Sequence, residues 1–407
     1  MTQTCIVIGA SHAAAQLTVS LRQEGWDGQI LVIGDEAYLP YHHPPLSKAF
    51  LSGDQSAQDI LIRKPNFYEQ KDVEFKLGAR VEDIDRLAKT VTLDSGEKLN
   101  YDKLALCTGS RVRKVELPGI DLPGIHYLRD LKDVAGIREE IQPGKHAVIV
   151  GGGYIGLETA ASLKKLGMQV TVLEMAPRVL ARVTAPELSE FYTRVHTEEG
   201  VAIKTGIAVA AFEGDGRVQQ VVCADGSNFP ADLVVIGVGI VPNVELAMTS
   251  GLTVDNGVVV DEFGRTDDPD IVAAGDVTNH YNGIYGIRLR LESVPNASDQ
   301  AKSAAAAICG KEKVYCTLPW FWSDQYDLKL QIAGLSQGYD QVVVRGDIQS
   351  GRSFSAFYLR EGKLIAADCV NRPAEFMLAK KVLSTDAELD ITKLADESVP
   401  PKELILS

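Results

Sequence analysis

Six residues, Gly151-Gly152-Gly153-Tyr154-Ile155-Gly156, follow the apolar run Val148-Ile149-Val150 and lead into an amphipathic stretch ending near Leu166. A G-x-G-x-x-G turn between a strand and a helix suits the pyrophosphate of a dinucleotide. Gly151 permits the tight turn, Gly153 lets backbone approach the phosphates, and Gly156 lets the helix pack close to the strand. The helix N-terminus, including the amides near Tyr154 and Ile155, then receives the negative charge. Val170-Thr171-Val172-Leu173-Glu174 reads as the next strand and places a carboxylate 18 residues after Gly156. Such a carboxylate accepts from a free ribose 2′-hydroxyl and repels a 2′-phosphate, so NADH is expected over NADPH. Arg178 and Arg182 follow closely enough to meet a phosphate, or else form a solvated helix or loop face.

The same order of strand, turn and helix occurs earlier, from Cys5 to Leu21, so the chain carries an internal repeat and two dinucleotide sites are implied. The earlier turn, Gly9-Ala10-Ser11-His12-Ala13-Ala14, has Ser11 at the second glycine position and Ala14 at the tolerated third. Ser11 brings a Cβ beside the pyrophosphate path: either the backbone stands off, or its hydroxyl donates to a phosphate oxygen. Three later features support a working site. Strand Ile30-Leu31-Val32-Ile33 ends near Asp35, the expected ribose carboxylate, with Glu36 able to share that role. Strand Lys103 to Cys107 runs into Thr108-Gly109. Strand Ile271-Val272-Ala273-Ala274 ends in Gly275-Asp276, where a carboxylate can meet polyol or phosphate hydroxyls.

Other chemistries find little support. His42 and His43 are adjacent, so their side chains diverge, and no acid or cysteine stands at ligand spacing; no metal site is expected. Ser47 lacks the G-x-S-x-G surroundings of a nucleophile, and six scattered cysteines form no C-x-x-C, most of them reading as small buried hydrophobes.

Holding two such turns takes two parallel α/β sheets, and 407 residues suffice for two or three domains. Hydrophobic residues at 45% and charged residues at 24% describe a folded globular chain. The formal charge of −14 repels phosphate backbones and anionic lipid, so neither nucleic acid nor membrane is an expected partner. No apolar run is long enough to span a bilayer, and a strand begins within a few residues of the N-terminus; a cytoplasmic protein is expected.

Taken together, the two turns, Thr108-Gly109, Gly237-Val238-Gly239 with Pro242-Asn243, and Gly275-Asp276 resemble the glutathione-reductase-like flavoproteins. Within these, Tyr41-His42-His43-Pro44-Pro45-Leu46-Ser47-Lys48, Glu292-Ser293-Val294-Pro295-Asn296 and Trp320-Phe321-Trp322-Ser323-Asp324-Gln325 are similar to oxygenase-coupled NADH–ferredoxin reductases. The resemblance runs from about residue 4 to Lys402, departing at Ser11. It implies an FAD domain (1–112 and 240–317), an inserted NAD domain (113–239) and a C-terminal α+β interface domain (318–407). It also implies cofactor contacts from Gly9, Ser11, His12, Ala13, Ala14, Asp35, Glu36, Pro44, Lys48, Val81, Thr108, Gly109, Arg129, Gly275, Asp276, Glu292, Ser293, Val294 and Trp320. The nucleotide contacts it implies are Gly151, Gly153, Tyr154, Ile155, Gly156, Glu158, Glu174, Arg182 and Gly239.

Disulfide reductases of this superfamily carry a cysteine pair where this chain reads His42 to Lys48. Without that relay, electrons must leave directly to an outside acceptor, and a flavin can take a hydride and release single electrons. The resemblance puts Lys48 nearest the isoalloxazine, paired with Glu158, and makes Tyr154 a movable cover. Pro44 and Pro45 stiffen the loop. The expected acceptor is an acidic two-iron ferredoxin met by a monomer or weak dimer; a monodehydroascorbate- or quinone-type reductase and a scaffold resembling apoptosis-inducing factor are the alternatives. Docking an acidic partner needs a local basic face. Residues 318–385 hold 8 Lys+Arg and 7 Asp+Glu, a net +1 within this acidic chain. Arg63, Lys64, Arg288, Arg290, Lys302, Arg345 and Arg372 are the candidates, and Trp320 and Trp322 are expected to point one inward and one outward.

Overall fold

The structure is a computed structural model and describes residues 3–385 and 387–406. The chain divides into two compact units. The first comprises Met1–His42, Ala57–Arg111 and Ile240–Pro319, and the second His43–Ser56, Val112–Gly239 and Trp320–Ser407. This division is coarser than three domains, and it takes the segment carrying Lys48 into the second unit.

The first unit is built on a five-stranded sheet in the order Ile271–Ala273, Lys103–Leu106, Thr4–Ile8, Gln29–Gly34, Val73–Leu77, parallel throughout. Residues 5–8, 104–106 and 271–273 are apolar runs buried on both faces, as a covered parallel sheet requires, whereas the edge strand Val73–Leu77 carries exposed Glu74. Helices His12–Glu24 and Val294–Ile308 pack together through alanine-rich faces. A three-stranded antiparallel sheet, Val81–Asp85, Thr90–Leu93 and Lys98–Asn100, lies between the third and fourth strands in sequence.

The second unit repeats the plan with the parallel order Ala202–Thr205, Gln169–Glu174, His146–Val150, Leu233–Ile236, Ile125–Tyr127. To it belongs a five-stranded antiparallel sheet, Trp320–Gln325, Leu328–Gly334, Lys363–Val370, Ser353–Arg360, Gln341–Asp347, on which helix Pro373–Leu383 packs. The mixed α/β architecture is the one expected.

Two expectations are corrected here. Trp320 and Trp322 share one face of their strand, ring centroids 5.7 Å apart and both half-buried, because residues two apart point the same way. Arg345 is no surface cation. It is 2% exposed, 3.3 Å from Glu375, and donates to the carbonyls of Leu394, Asp396 and Val399, tying down the C-terminal segment.

Candidate functional site

In the first unit, strand Thr4–Ile8 ends at Gly9, whose φ of +104° and whose approach to the Cys107 carbonyl leave no room for a Cβ. The chain enters the helix through Ser11, the N-cap, with Oγ 3.5 Å from His12 Nδ1. Ala13 and Ala14 are buried behind it, and a Cβ on Gly275 would lie 3.2 Å from that of Ala13. Asp35 is exposed, whereas Glu36 accepts from the Tyr41 hydroxyl at 2.7 Å. Of the two acids, Glu36 is the one held in place.

Around this turn, the Thr108 hydroxyl donates to the Asn243 carbonyl and the Asn243 amide to the Thr108 carbonyl, both at 2.8 Å. Gly109, at φ +61°, accepts from Asn243 N. Ser110 donates to Asp276 at 2.9 Å, and Gly275 N donates to Gln300 Oε1. Val81 is buried at the start of its strand. Glu292 pairs with Arg290 at 2.6 Å, Ser293 caps helix Val294–Ile308 by accepting from Asn296 N, and Val294 opens that helix.

In the second unit Gly151, at φ +111°, would drive a Cβ into the Gly237 carbonyl, and Gly156 would drive one into that of Gly151. A Cβ on the N-cap residue Gly153 would meet nothing within 4 Å, so the helix N-terminus is open to an incoming group. Glu174 does more than the sequence suggests: its carboxylate accepts from Gly152 N at 2.6 Å and Ala176 N at 2.7 Å, fastening the glycine loop to the strand end. Arg178 is no solvated face. It donates to the carbonyls of Thr184 and Ala181 and to Ser189 Oγ, bracing the loop that carries exposed Arg182. Gly239 has φ +107°, and its Cβ position lies 4.0 Å from an Arg182 nitrogen. Arg129 donates its backbone N–H to Asp133 at 2.8 Å.

The most concentrated chemistry is at Lys48 and Glu158. Pro44–Ser47 form a single 3-10 turn, which presents Lys48 Nζ at 2.5 Å from Glu158 Oε2. Glu158 lies in helix Tyr154–Lys165 and is 3% exposed. Ser47 Oγ donates to the same oxygen and Ser323 Oγ to Oε1, each at 2.6 Å. Tyr154 opens the helix, its ring edge-on to Phe321 at 5.1 Å and its hydroxyl buried without a protein hydrogen bond among the described residues. Burial pushes that phenol well above its ordinary range. Trp320 lies under Lys380, whose Nζ is 4.7 Å from the ring centroid.

Sequence reasoning found the lysine, the glutamate and both turns but missed Ser323, whose partner is 165 positions away. Among the described residues no group of His, Cys, Asp and Glu could hold a metal ion, no helix is long and apolar enough to cross a membrane, and all six cysteines are free.

Residues 3–301 match the pyridine nucleotide-disulphide oxidoreductase family and residues 320–405 the reductase C-terminal family. The chain belongs to the pyridine nucleotide-disulphide oxidoreductases. It is 43% identical over 406 residues to putidaredoxin reductase of Pseudomonas putida, covering 98% of this chain and 96% of that protein. To the ferredoxin–NAD(+) reductase component of the anthranilate 1,2-dioxygenase system of Burkholderia cepacia it is 40% identical, covering 98% of each. The reductase in the covalent putidaredoxin reductase–putidaredoxin complex superposes with a TM-score of 0.96 at 42% identity, over 99% of this chain and 98% of that one.

Membership makes the chain an oxidoreductase using FAD and NAD(H), and its residues fit both. Each turn offers a glycine-held bend and a helix N-terminus whose first amides have no intrahelical acceptor. A carboxylate fixed by hydrogen bonds stands at the end of the strand that follows each turn's helix, Glu36 just past Gln29–Gly34 and Glu174 closing Gln169–Glu174.

Proposed function

We propose that this chain is an NADH:ferredoxin reductase that serves an oxygenase, with the first unit and its Gly9 turn holding FAD and the Gly151 turn holding NADH. Residues 113–239 form the nucleotide part and 318–407 the interface part. Bound FAD supplies the conversion of one hydride into two single-electron transfers, which a two-iron cluster requires. The protein's part is electrostatic and positional. Gly9, Ser11 and the amides of helix His12–Glu24 receive one pyrophosphate, with Glu36 and Asp276 beside it for hydroxyl groups. Gly151, Gly153 and the amides of helix Tyr154–Lys165 receive the other, and Glu174 selects NADH. Lys48 provides a fixed cation that favours negative charge on a reduced cofactor, and Glu158 keeps it oriented. Tyr154 covers the site until nicotinamide enters.

The observation that carries this reading is the pairing of Lys48, in the segment where a dithiol reductase has its cysteines, with the buried carboxylate of Glu158. With no thiol pair to pass electrons inward, the acceptor is external. Relatives named as ferredoxin reductases of oxygenase systems support a ferredoxin as that acceptor. Six free cysteines suit a reducing cytoplasm. Of the basic residues, Arg63 and Lys64 remain candidates for the docking face, whereas Lys302 pairs with Asp299, Arg372 with Glu397, and Arg288 donates to the Val260 and Asn279 carbonyls. Arg290 is already engaged by Glu292.

The test is spectroscopic. Anaerobic addition of NADH to the flavin-loaded protein should bleach the flavin band, and oxidised two-iron ferredoxin should then be reduced. Rapid NADH oxidation with quinones or ascorbyl radical, and none with any oxygenase ferredoxin, would overturn the reading.

A further inference from the structure

Glu158 is one end of a buried chain of hydrogen bonds whose directions are fixed. A carboxylate only accepts, so Ser323 must donate its hydroxyl proton to Glu158 Oε1, at 2.6 Å. The Ser323 oxygen then accepts from Gln325 Nε2 at 3.1 Å, which turns the amide oxygen toward His196 Nε2 at 2.8 Å. That oxygen only accepts, so Nε2 carries the imidazole proton. Nδ1 is thereby left to accept from the Tyr326 hydroxyl at 3.1 Å. Flipping the Gln325 amide would set its oxygen against the Ser323 oxygen, whose proton is already given to Glu158, and so break the chain at that end. Ser323, Gln325 and His196 are each at most 2% exposed. Burial also holds His196 below its usual range, which preserves the neutral ring that Nδ1 needs in order to accept. Tyr326 adopts φ +55°, a left-handed conformation costly for a bulky residue, and its ring packs edge-on against His196 at 5.1 Å.

We propose that Ser323, locked by Gln325, His196 and Tyr326, is the positioning residue that keeps Glu158 Oε2 turned to Lys48. It reaches that pair from the strand that also carries Trp320 and Trp322. Ser47 holds Oε2 from the other side. The inference rests on the reading of Lys48 and Glu158 as the flavin-site pair.

The test compares Ser323→Ala, Ser323→Thr and Gln325→Leu in the flavin-loaded protein, with ferricyanide as acceptor. Stopped-flow reduction by saturating NADH should slow about tenfold in Ser323→Ala, the weight of one charge-assisted hydrogen bond, with KM little changed. The flavin midpoint potential should become more negative, and Lys48 should react faster with acetic anhydride in peptide mapping. Threonine should restore all three, Gln325→Leu should reproduce them in part, and Ser323→Ala should add nothing in a Glu158→Gln background. Wild-type labelling of Lys48 and an unchanged potential in Ser323→Ala would overturn the proposal, even if turnover fell. Faster labelling without a change in potential would place the pair away from the flavin, and failure with every ferredoxin would count against the proposed function alone.

Discussion

Gly9 and Gly151 open the two nucleotide turns with nearly the same left-handed φ, +104° and +111°, and in each a Cβ would collide with a carbonyl, Cys107 in one unit and Gly237 in the other. The second positions, Ser11 and Gly153, are both extended N-caps, at φ −128° and −80°. The third positions part company: a Cβ on Gly156 would strike its own turn, whereas Ala14 carries one while buried. Conformation therefore dictates only the first glycine in both turns, and the other two answer to how closely ligand and helix approach. Two residues further on, Gln16 merely donates to Ser20, whereas Glu158 gathers Ser47, Lys48 and Ser323. The first turn stands alone; the second leads into the charge pair.

The sharpest way to break that comparison is to add the same methyl to both turns. Gly151→Ala should weaken NADH binding roughly 100-fold while FAD stays bound, since the strained φ alone costs about 1–3 kcal/mol before the clash. Gly9→Ala should do the reverse, with flavin lost on gel filtration and NADH binding kept. Loss of both cofactors from either change would refute the assignment of one turn to each.

The loop behind the second turn carries a pH-sensitive contact. Thr184, which ends the loop after Glu174, donates to Asp368 at 2.9 Å, and Tyr358 donates to the same oxygen at 2.5 Å. Burial pushes Asp368 up to about 6 from the ordinary 3.8, although both hydroxyls pull it down. A carboxyl raised in the native state holds its proton longer there than when unfolded. Its contribution is thus full below about pH 4 and lost as pH rises through about 6, a fall of about 3 kcal/mol. Asp368→Asn should recover that amount in urea denaturation near pH 7.5 and almost nothing near pH 4. Equal gains at both pH values would rule out titration of Asp368 as the cause.

These contrasts also mark what the sequence could show. Both turns were legible because a positive φ and a carbonyl in the way leave few residues but glycine, and Glu174 because strand and spacing announce it. Its grip on Gly152 N and Ala176 N was not, since backbone amides carry no residue signature. Ser323 and Gln325 act across folds of the chain, on partners 165 and 129 positions away, with nothing local to mark them. Arg345 misled because formal charge is silent about burial, and the carbonyls that satisfy it come from the C-terminal segment.

A smaller effect separates the two carboxylates. Glu174→Arg removes the acceptor of two backbone amides, at about 1–2 kcal/mol, and replaces repulsion of a 2′-phosphate with attraction. Preference, measured as the kcat/KM ratio of NADH to NADPH, should shift about tenfold toward NADPH. Glu36→Gln keeps an acceptor for Tyr41 and should leave that ratio alone. An unmoved ratio in Glu174→Arg would remove Glu174 from the ribose site.

The smallest effect expected is at Ser11. Its φ of −128° and ψ of −155° are ordinary extended backbone, so serine is under no strain, and replacing an N-cap serine by glycine costs only a few tenths of a kcal/mol, roughly. Ser11→Gly would convert the first turn to the pattern of the second at its middle position, and flavin retention during dialysis should be equal or slightly tighter. The outcome decides between two roles for the hydroxyl. If it only occupies space beside the pyrophosphate, glycine lets the backbone approach and retention improves. Markedly weaker retention would show that Oγ donates to a phosphate oxygen, so that the first turn replaces a backbone approach with a side-chain hydrogen bond.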